Sequence, residues 1–152
     1  GQPILICSGD TGRTGMLENL ALVIEDDRKV SELVALAVEK ALGCRVITAG
    51  NGEIGLYEAR THKPDLILLD WIMPEMSGME VLDELMSDPV TATIPVHMIT
   101  GKTTLKDAKK ALEMGASGYF MKPIEFVDLC NWLKDQFPSL AETVNDRKPE
   151  TT

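Results

Sequence analysis

Apolar residues alternate along this chain between short unbroken runs and longer periodic stretches. Residues 20–24 (LALVI) and 66–69 (LILL) are continuous apolar runs bounded by polar or turn residues. Such runs read as strands buried on both faces, the kind found inside a parallel sheet. Between them, Val30, Leu33, Val34, Ala37, Val38 and Ala41 recur at i, i+3, i+4 and i+7, which marks one face of a helix. Gly43 is placed to end it. The rhythm continues with a strand over 46–48, then a helix over 53–60 opened by Asn51-Gly52 and weakened by Gly55. Pro64 stops that helix before the run at 66–69. A helix is expected over 77–86, marked on one side by Met79, Leu82 and Met86 and broadened by Val81 and Leu85. A strand follows over 95–100, then a helix over 105–114 stopped by Gly115, and a strand over 118–121. The last predicted helix, 126–137, carries Val127, Leu129, Cys130, Leu133 and Phe137, and Pro138 closes it. Five strands alternating with five helices predict a doubly wound α/β fold, with right-handed crossovers placing helices on both faces of a parallel sheet.

In such a sheet every strand's carboxyl end lies on one edge, where ligands bind in open α/β proteins. Glu25-Asp26, Asp70, Thr100 and Lys122 each sit at or just after a predicted strand end, so the fold brings them to one rim. Three bare carboxylates in a cleft repel one another. A hard divalent cation relieves this, and an all-oxygen set with room for water suits Mg²⁺, with Mn²⁺ a substitute. A metal beside a carboxylate also suits phosphoryl transfer, because carboxylates form aspartyl-phosphates. Lys122 can pair with Asp70 or with phosphate oxygens, and the Thr100 hydroxyl can donate to one. Gly101 leaves space for an incoming group. Asp27 reads instead as a charge favouring the following helix dipole.

The remaining features narrow the class. With 152 residues, 44% hydrophobic and 26% charged, the chain suits one globular domain. No window reaches the length of a membrane span, and the start lacks the basic region of a signal peptide. Cys7, Cys44 and Cys130 form no C-x-x-C pair, so free thiols in a reducing cytoplasm are expected. A net charge of −9 argues against nucleic acid or anionic membrane as the main partner. The stretch GDTGRTG lacks the Gly-Lys-Ser/Thr of a phosphate loop and reads as linker, after a possible strand over 3–8. PILICSGDT repeats the pattern of PVHMITGKT at 95–103; chance explains this better than the tail of a preceding related domain. His62 and His97 lack ligand-spaced partners and read as structural, and Trp71 and Trp132 as packing residues.

Four segments, LVIEDD, LILLDWIMPEMSG, IPVHMITGK and GASGYFMKPIE, together resemble the receiver domain of two-component response regulators, in that family's order and spacing, over about residues 20–137. The resemblance implies a flavodoxin-like sheet of strand order 2-1-3-4-5. It implies that Asp70 accepts phosphate from a histidine kinase or histidine phosphotransfer protein. Glu25 and Asp26 match the acidic pair, Asp26 being the more direct metal ligand, with Asp70 and the Ile72 backbone carbonyl completing the protein's share. Thr100 and Lys122 match the switch hydroxyl and the phosphate-binding lysine, and Tyr119 the aromatic that changes rotamer. Lys122-Pro123 is expected to be cis. The implied readout is a change in the surface of the fourth helix, fifth strand and fifth helix, in a cytoplasmic protein that is a monomer or a phosphorylation-linked homodimer. It implies no enzyme beyond its own phosphorylation and dephosphorylation. Two other readings stand beside it: a phosphorylation-independent adaptor, and an aspartate-nucleophile phosphatase, whose acid/base Asp would fall where Ile72 stands. Residues 1–19 are expected as an extension or linker, and 138–152 as a polar, frayed tail.

Overall fold

The protein is described by a computed structural model covering residues 19–101 and 105–147. The strand expected over 3–8, the glycine-rich stretch after it and the chain end beyond 147 lie outside the described residues. In chain order the elements are β1 (Leu20–Ile24), α1 (Arg28–Leu42), β2 (Arg45–Ala49), α2 (Gly52–His62), β3 (Leu66–Asp70), α3 (Gly78–Ser87), β4 (Val96–Thr100), α4 (Leu105–Glu113), β5 (Gly118–Met121), α5 (Phe126–Gln136) and α6 (Pro138–Arg147). The strands form one parallel sheet in the order β2-β1-β3-β4-β5. This is the doubly wound, flavodoxin-like arrangement expected from the sequence.

Burial explains why the strand sequences differ. Every residue of β1, β3 and β4 is buried, as continuous apolar runs require when helices cover both faces. The edge strands β2 and β5 are only partly buried and carry mixed residues. One core layer joins Leu22, Ile24, Ile67 and Leu69 to α2 and α3 through Leu56, Val81, Leu82 and Leu85. On the other face Val23, Leu66 and Leu68 meet α1 and α5 through Val34, Val38, Leu129 and Leu133.

Local chemistry fixes the helix ends. The Asp27 carboxylate accepts from the Lys29 and Val30 N–H groups at 3.0 and 3.2 Å, capping α1. Gly43, at φ 68°, ends α1 in the left-handed conformation. Asn51 accepts from Ile54 N–H at 2.8 Å and opens α2. Ser77 and Glu80 form a reciprocal capping box at the start of α3.

The structure departs from the sequence reading in three places. Helix α5 ends at Gln136 ahead of Pro138, as expected, but a further helix begins there: Pro138 occupies the first turn of α6, where its missing N–H is no loss. Leu140 and Ala141 pack with Phe137 and Trp132 against the α1–α5 layer, so residues 138–147 are a docked helix and not a frayed tail. Val127, read as part of the buried face of α5, is 66% exposed; Leu129 and Leu133 carry that face. Gly55 looked like a weakness in α2, yet a Cβ there would lie 2.5 Å from Ile24 Cδ1. The missing side chain lets α2 approach β1.

Candidate functional site

Glu25 follows β1 directly, Asp70 and Thr100 close β3 and β4, and Lys122 follows β5. The registers put these ends level: Ile24 lies opposite Leu69, Asp70 opposite Ile99, and Thr100 opposite Met121. Backbone bonds extend the ladder through the site, from Glu25 N–H to Ala49 O at 3.0 Å and from Lys122 N–H to Thr100 O at 2.8 Å. Residues up to 97 positions apart in sequence therefore meet because the strands are parallel.

One carboxylate oxygen from each of Glu25, Asp26 and Asp70 lies within 4.8 Å of the other two. Glu25 and Asp70 are buried and Asp26 is exposed. The Lys122 ammonium lies 3.3 Å from Glu25 Oε1 and 3.4 Å from Asp70 Oδ1. Three carboxylates and one ammonium carry two excess negative charges if all are ionised, the charge one divalent cation balances. Without such a cation the buried pair holds protons more tightly. Burial, reinforced by the Asp70 charge, raises Glu25 to about 7, against the pull of the Asp27 N–H and Lys122. Burial also raises Asp70, opposed by Lys122, by the bond to Glu25 and by a hydrogen bond from the Ile72 N–H. Burial pulls the Lys122 ammonium down, but Asp70 and Glu25 outweigh it and its pKa is raised. The set is all oxygen, partly exposed through Asp26, and short of positive charge, which fits a hard cation that keeps several waters.

Glu25, Asp26, Asp70 and Lys122 are brought together, and the other expected residues lie on or near the adjoining strands. Thr100 is buried at the end of β4. Among the described residues nothing lies within 4 Å of where a Cβ on Gly101 beside it would project. Ile72, two residues after Asp70, is 59% exposed. Tyr119, half-buried, packs on the α2–α4 side of the sheet, and Lys122-Pro123 is cis. Asp27 caps α1, in keeping with the helix role expected of it, and its N–H also donates to Glu25 Oε2 at 3.2 Å.

Sequence reading gave Gly78 no role beyond the loop. Its N–H donates to Trp71 O at 2.7 Å, and a Cβ on it would run into the Asp70 carbonyl and lie 2.7 Å from Trp71 Cα. Glycine here lets the start of α3 close directly on the backbone of Asp70. The signal was the glycine itself, thirteen residues into LILLDWIMPEMSG, but which backbone it touches is set by the fold.

A five-stranded parallel sheet of this order, with an acidic cluster and a lysine at its carboxyl edge, defines a class. The family profile described as the response regulator receiver domain matches residues 21–134, and the chain belongs to that family, the receiver modules of two-component signalling. Among relatives, the phosphate regulon transcriptional regulatory protein PhoB of Pseudomonas aeruginosa is 35% identical over 119 residues, covering 78% of this chain and 52% of that protein. The alkaline phosphatase synthesis transcriptional regulatory protein PhoP of Bacillus subtilis is 38% identical over 102 residues, 67% of this chain and 41% of that protein. The chain thus spans about half the length of these relatives. The solved structure of the chemotaxis response regulator CheY4 of Vibrio cholerae superposes with a TM-score of 0.73 at 25% identity, covering 79% of this chain and 99% of that one. Receiver domains bind Mg²⁺ in an acidic pocket, and here Glu25, Asp26 and Asp70 form such a cluster. Among the described residues no helix is long and apolar enough to cross a membrane.

Proposed function

We propose that this chain is a phosphoacceptor in a two-component phosphorelay, with Asp70 as the residue that carries the phosphoryl group. The observation that supports this most is the buried Asp70 carboxylate held 3.4 Å from the Lys122 ammonium beside Glu25 and Asp26. An Asp70 oxygen attacks the phosphorus of a phosphohistidine on a kinase or histidine phosphotransfer protein. The new O–P bond forms as the P–N bond breaks, and the histidine leaves with the electron pair and takes up a proton from solvent. Glu25, Asp26, Asp70 and the Ile72 carbonyl would hold Mg²⁺, or Mn²⁺, which neutralises charge on the transferring oxygens. Lys122 then pairs with a phosphate oxygen and the Thr100 hydroxyl donates to another. The open space at Gly101 admits the group.

Thr100 drawn towards the phosphate leaves room for Tyr119 to turn inward, which reshapes the surface of α4, β5 and α5 and biases it towards a partner. The receiver unit is taken as residues 20–137, acting in the cytoplasm as a monomer or a phosphorylation-linked homodimer. No turnover enzyme is implied: the position two after Asp70, where an aspartate phosphatase carries its acid/base, holds Ile72. Ile72 also stands where water must approach a phosphorylated Asp70, and sets how long the phosphate lasts.

Incubation with acetyl phosphate and Mg²⁺ tests this by intact mass. Wild type is expected to gain one phosphate, and Asp70→Asn or a chelated sample none. An unmodified wild type, or an adduct that survives Asp70→Asn, overturns the reading.

A further inference from the structure

β4 carries a buried titratable group that the phosphoacceptor site does not use. His97, 3% exposed, faces the opposite side of the sheet from the core around α2–α4 and lies in a cage made by α5 and the α5–α6 joint. Its ring packs edge-on against Trp132, with centroids 5.4 Å apart, and tilted against Phe137 at 4.8 Å. Nε2 lies 2.9 Å from the Gln136 amide oxygen. An oxygen there accepts, so Nε2 carries the proton and Nδ1 presents a lone pair. Among the described residues that buried Nδ1 has no hydrogen-bond partner. The pocket is shaped for the pair: a Cβ on Gly118 of the neighbouring strand would lie 2.9 Å from the Gln136 oxygen and 3.0 Å from the His97 ring.

An aliphatic residue would fill this position without an unmatched nitrogen. We propose that His97 and Gln136 form an acid-released latch that fastens the corner between α5 and α6 to the sheet. Neutral His97 donates to Gln136 and packs between Trp132 and Phe137. A proton added at Nδ1 creates a buried cation whose new N–H meets no acceptor, a costly state in an apolar cage. The charged ring reaches water by parting from Trp132 and Phe137, and α6 is held to the same corner through Phe137, Leu140 and Ala141. The charged residues of α5 and α6 described here, Asp128, Lys134, Asp135 and Glu142, are exposed, and no charged residue lies on β4 or β5. Burial, offset in part by Gln136, lowers the His97 pKa below its ordinary 6.5. The sign follows: the unfolded chain binds this proton first, so the latch is fully closed above pH 6.5 and is lost as pH falls through the lowered value.

The latch is independent of Asp70, so failure of the phosphoacceptor reading leaves it standing. Its test combines histidine ring NMR with hydrogen exchange of the whole chain from pH 7.5 to 5. His62 is distinguished by His62→Gln. The latch predicts that His97 titrates below 6.5. After correction for the intrinsic rate, amides of α6 and of the last turn of α5 are expected to open at least tenfold more at pH 5 than at pH 7. Those of β1 and β3 are expected to open no more at pH 5 than at pH 7. His97→Phe, which keeps a ring, and His97→Gln, which keeps a polar group, are expected to abolish that pH dependence. Protection of α6 that ignores pH in wild type overturns the latch, as does an unchanged pH dependence in either folded variant. Should neither variant fold, wild type decides alone: the His97 titration and the opening of α6 must share one midpoint, and separate midpoints refute it.

Discussion

Gly78→Ala is expected to destabilise the protein by about 3 kcal/mol, the upper range for an overpacked site, and to impair phosphorylation at the same time. The added methyl has no flexible side chain to push aside. It meets the Asp70 carbonyl and Trp71 Cα, both backbone, so either the start of α3 or the end of β3 must move. Moving α3 breaks the bond from Gly78 N–H to Trp71 O and disturbs the Ser77–Glu80 capping box. Moving β3 displaces Asp70, the proposed phosphoacceptor. Gly55→Ala provides the comparison. Its nearest atoms all belong to the Ile24 side chain, which enters the core from the last position of β1 and can yield where backbone cannot, so stability should fall while phosphorylation of the folded fraction is impaired less than in Gly78→Ala. Urea unfolding and an acetyl phosphate reaction on both variants check this. A Gly78→Ala protein as stable and as reactive as wild type contradicts the close approach.

The second large effect is the dependence of stability on pH and divalent metal. Glu25 rises from 4.5 to about 7 in the folded protein, a difference corresponding to about 3 kcal/mol. The folded state binds the proton more tightly than the unfolded chain. This contribution is therefore fully present below pH 4.5 and is lost as pH rises through about 7. The raised Asp70 acts in the same direction. Unfolding free energy measured in a chelator is expected to fall by about 3 kcal/mol more between pH 4.5 and 8 in wild type than in Glu25→Gln, whose amide cannot ionise. Mg²⁺ should reverse the loss at pH 8 and act weakly near pH 5, where protons compete for the same carboxylates. Equal pH slopes in wild type and Glu25→Gln, or metal stabilisation that ignores pH, contradict the charge balance described for the site.

What the sequence made legible follows from what each feature depends on. The bounds of β1 and β5 and the C-terminal end of α1 could be read directly, because an apolar run and a terminal Gly43 are local signals, and Asp27 was legible as a helix-start charge though not as the cap it forms. The site was legible for a topological reason. Once the strands are taken as parallel, Glu25, Asp70, Thr100 and Lys122 fall on one edge without any knowledge of side-chain geometry. Features that depend on which surfaces meet were hidden. Gly55 and Gly78 look alike in sequence, but one makes room for Ile24 and the other for the Asp70 backbone. Helix α6 has too few apolar residues to announce itself, and Leu140 and Ala141 acquire meaning only against Phe137 and Trp132. Val127 fitted the helical period of α5, yet the face that the sheet covers is centred on Leu129 and Leu133. His97, inside an apolar strand, read as a core residue, and its bond to Gln136 crosses 39 positions.

In the proposed mechanism a phosphoryl group enters this chain at Asp70 and nowhere else, through the acidic cluster beside it. Borohydride reduction tests it most directly, because an aspartyl-phosphate is an acyl phosphate that the reagent converts to homoserine. The protein, treated with a phosphohistidine donor and Mg²⁺ and then reduced, is digested and its peptides are weighed. Homoserine at position 70, absent when the metal is chelated and absent in Asp70→Asn, is the predicted result. Homoserine at another carboxylate, or none after transfer from a competent donor, would contradict the account.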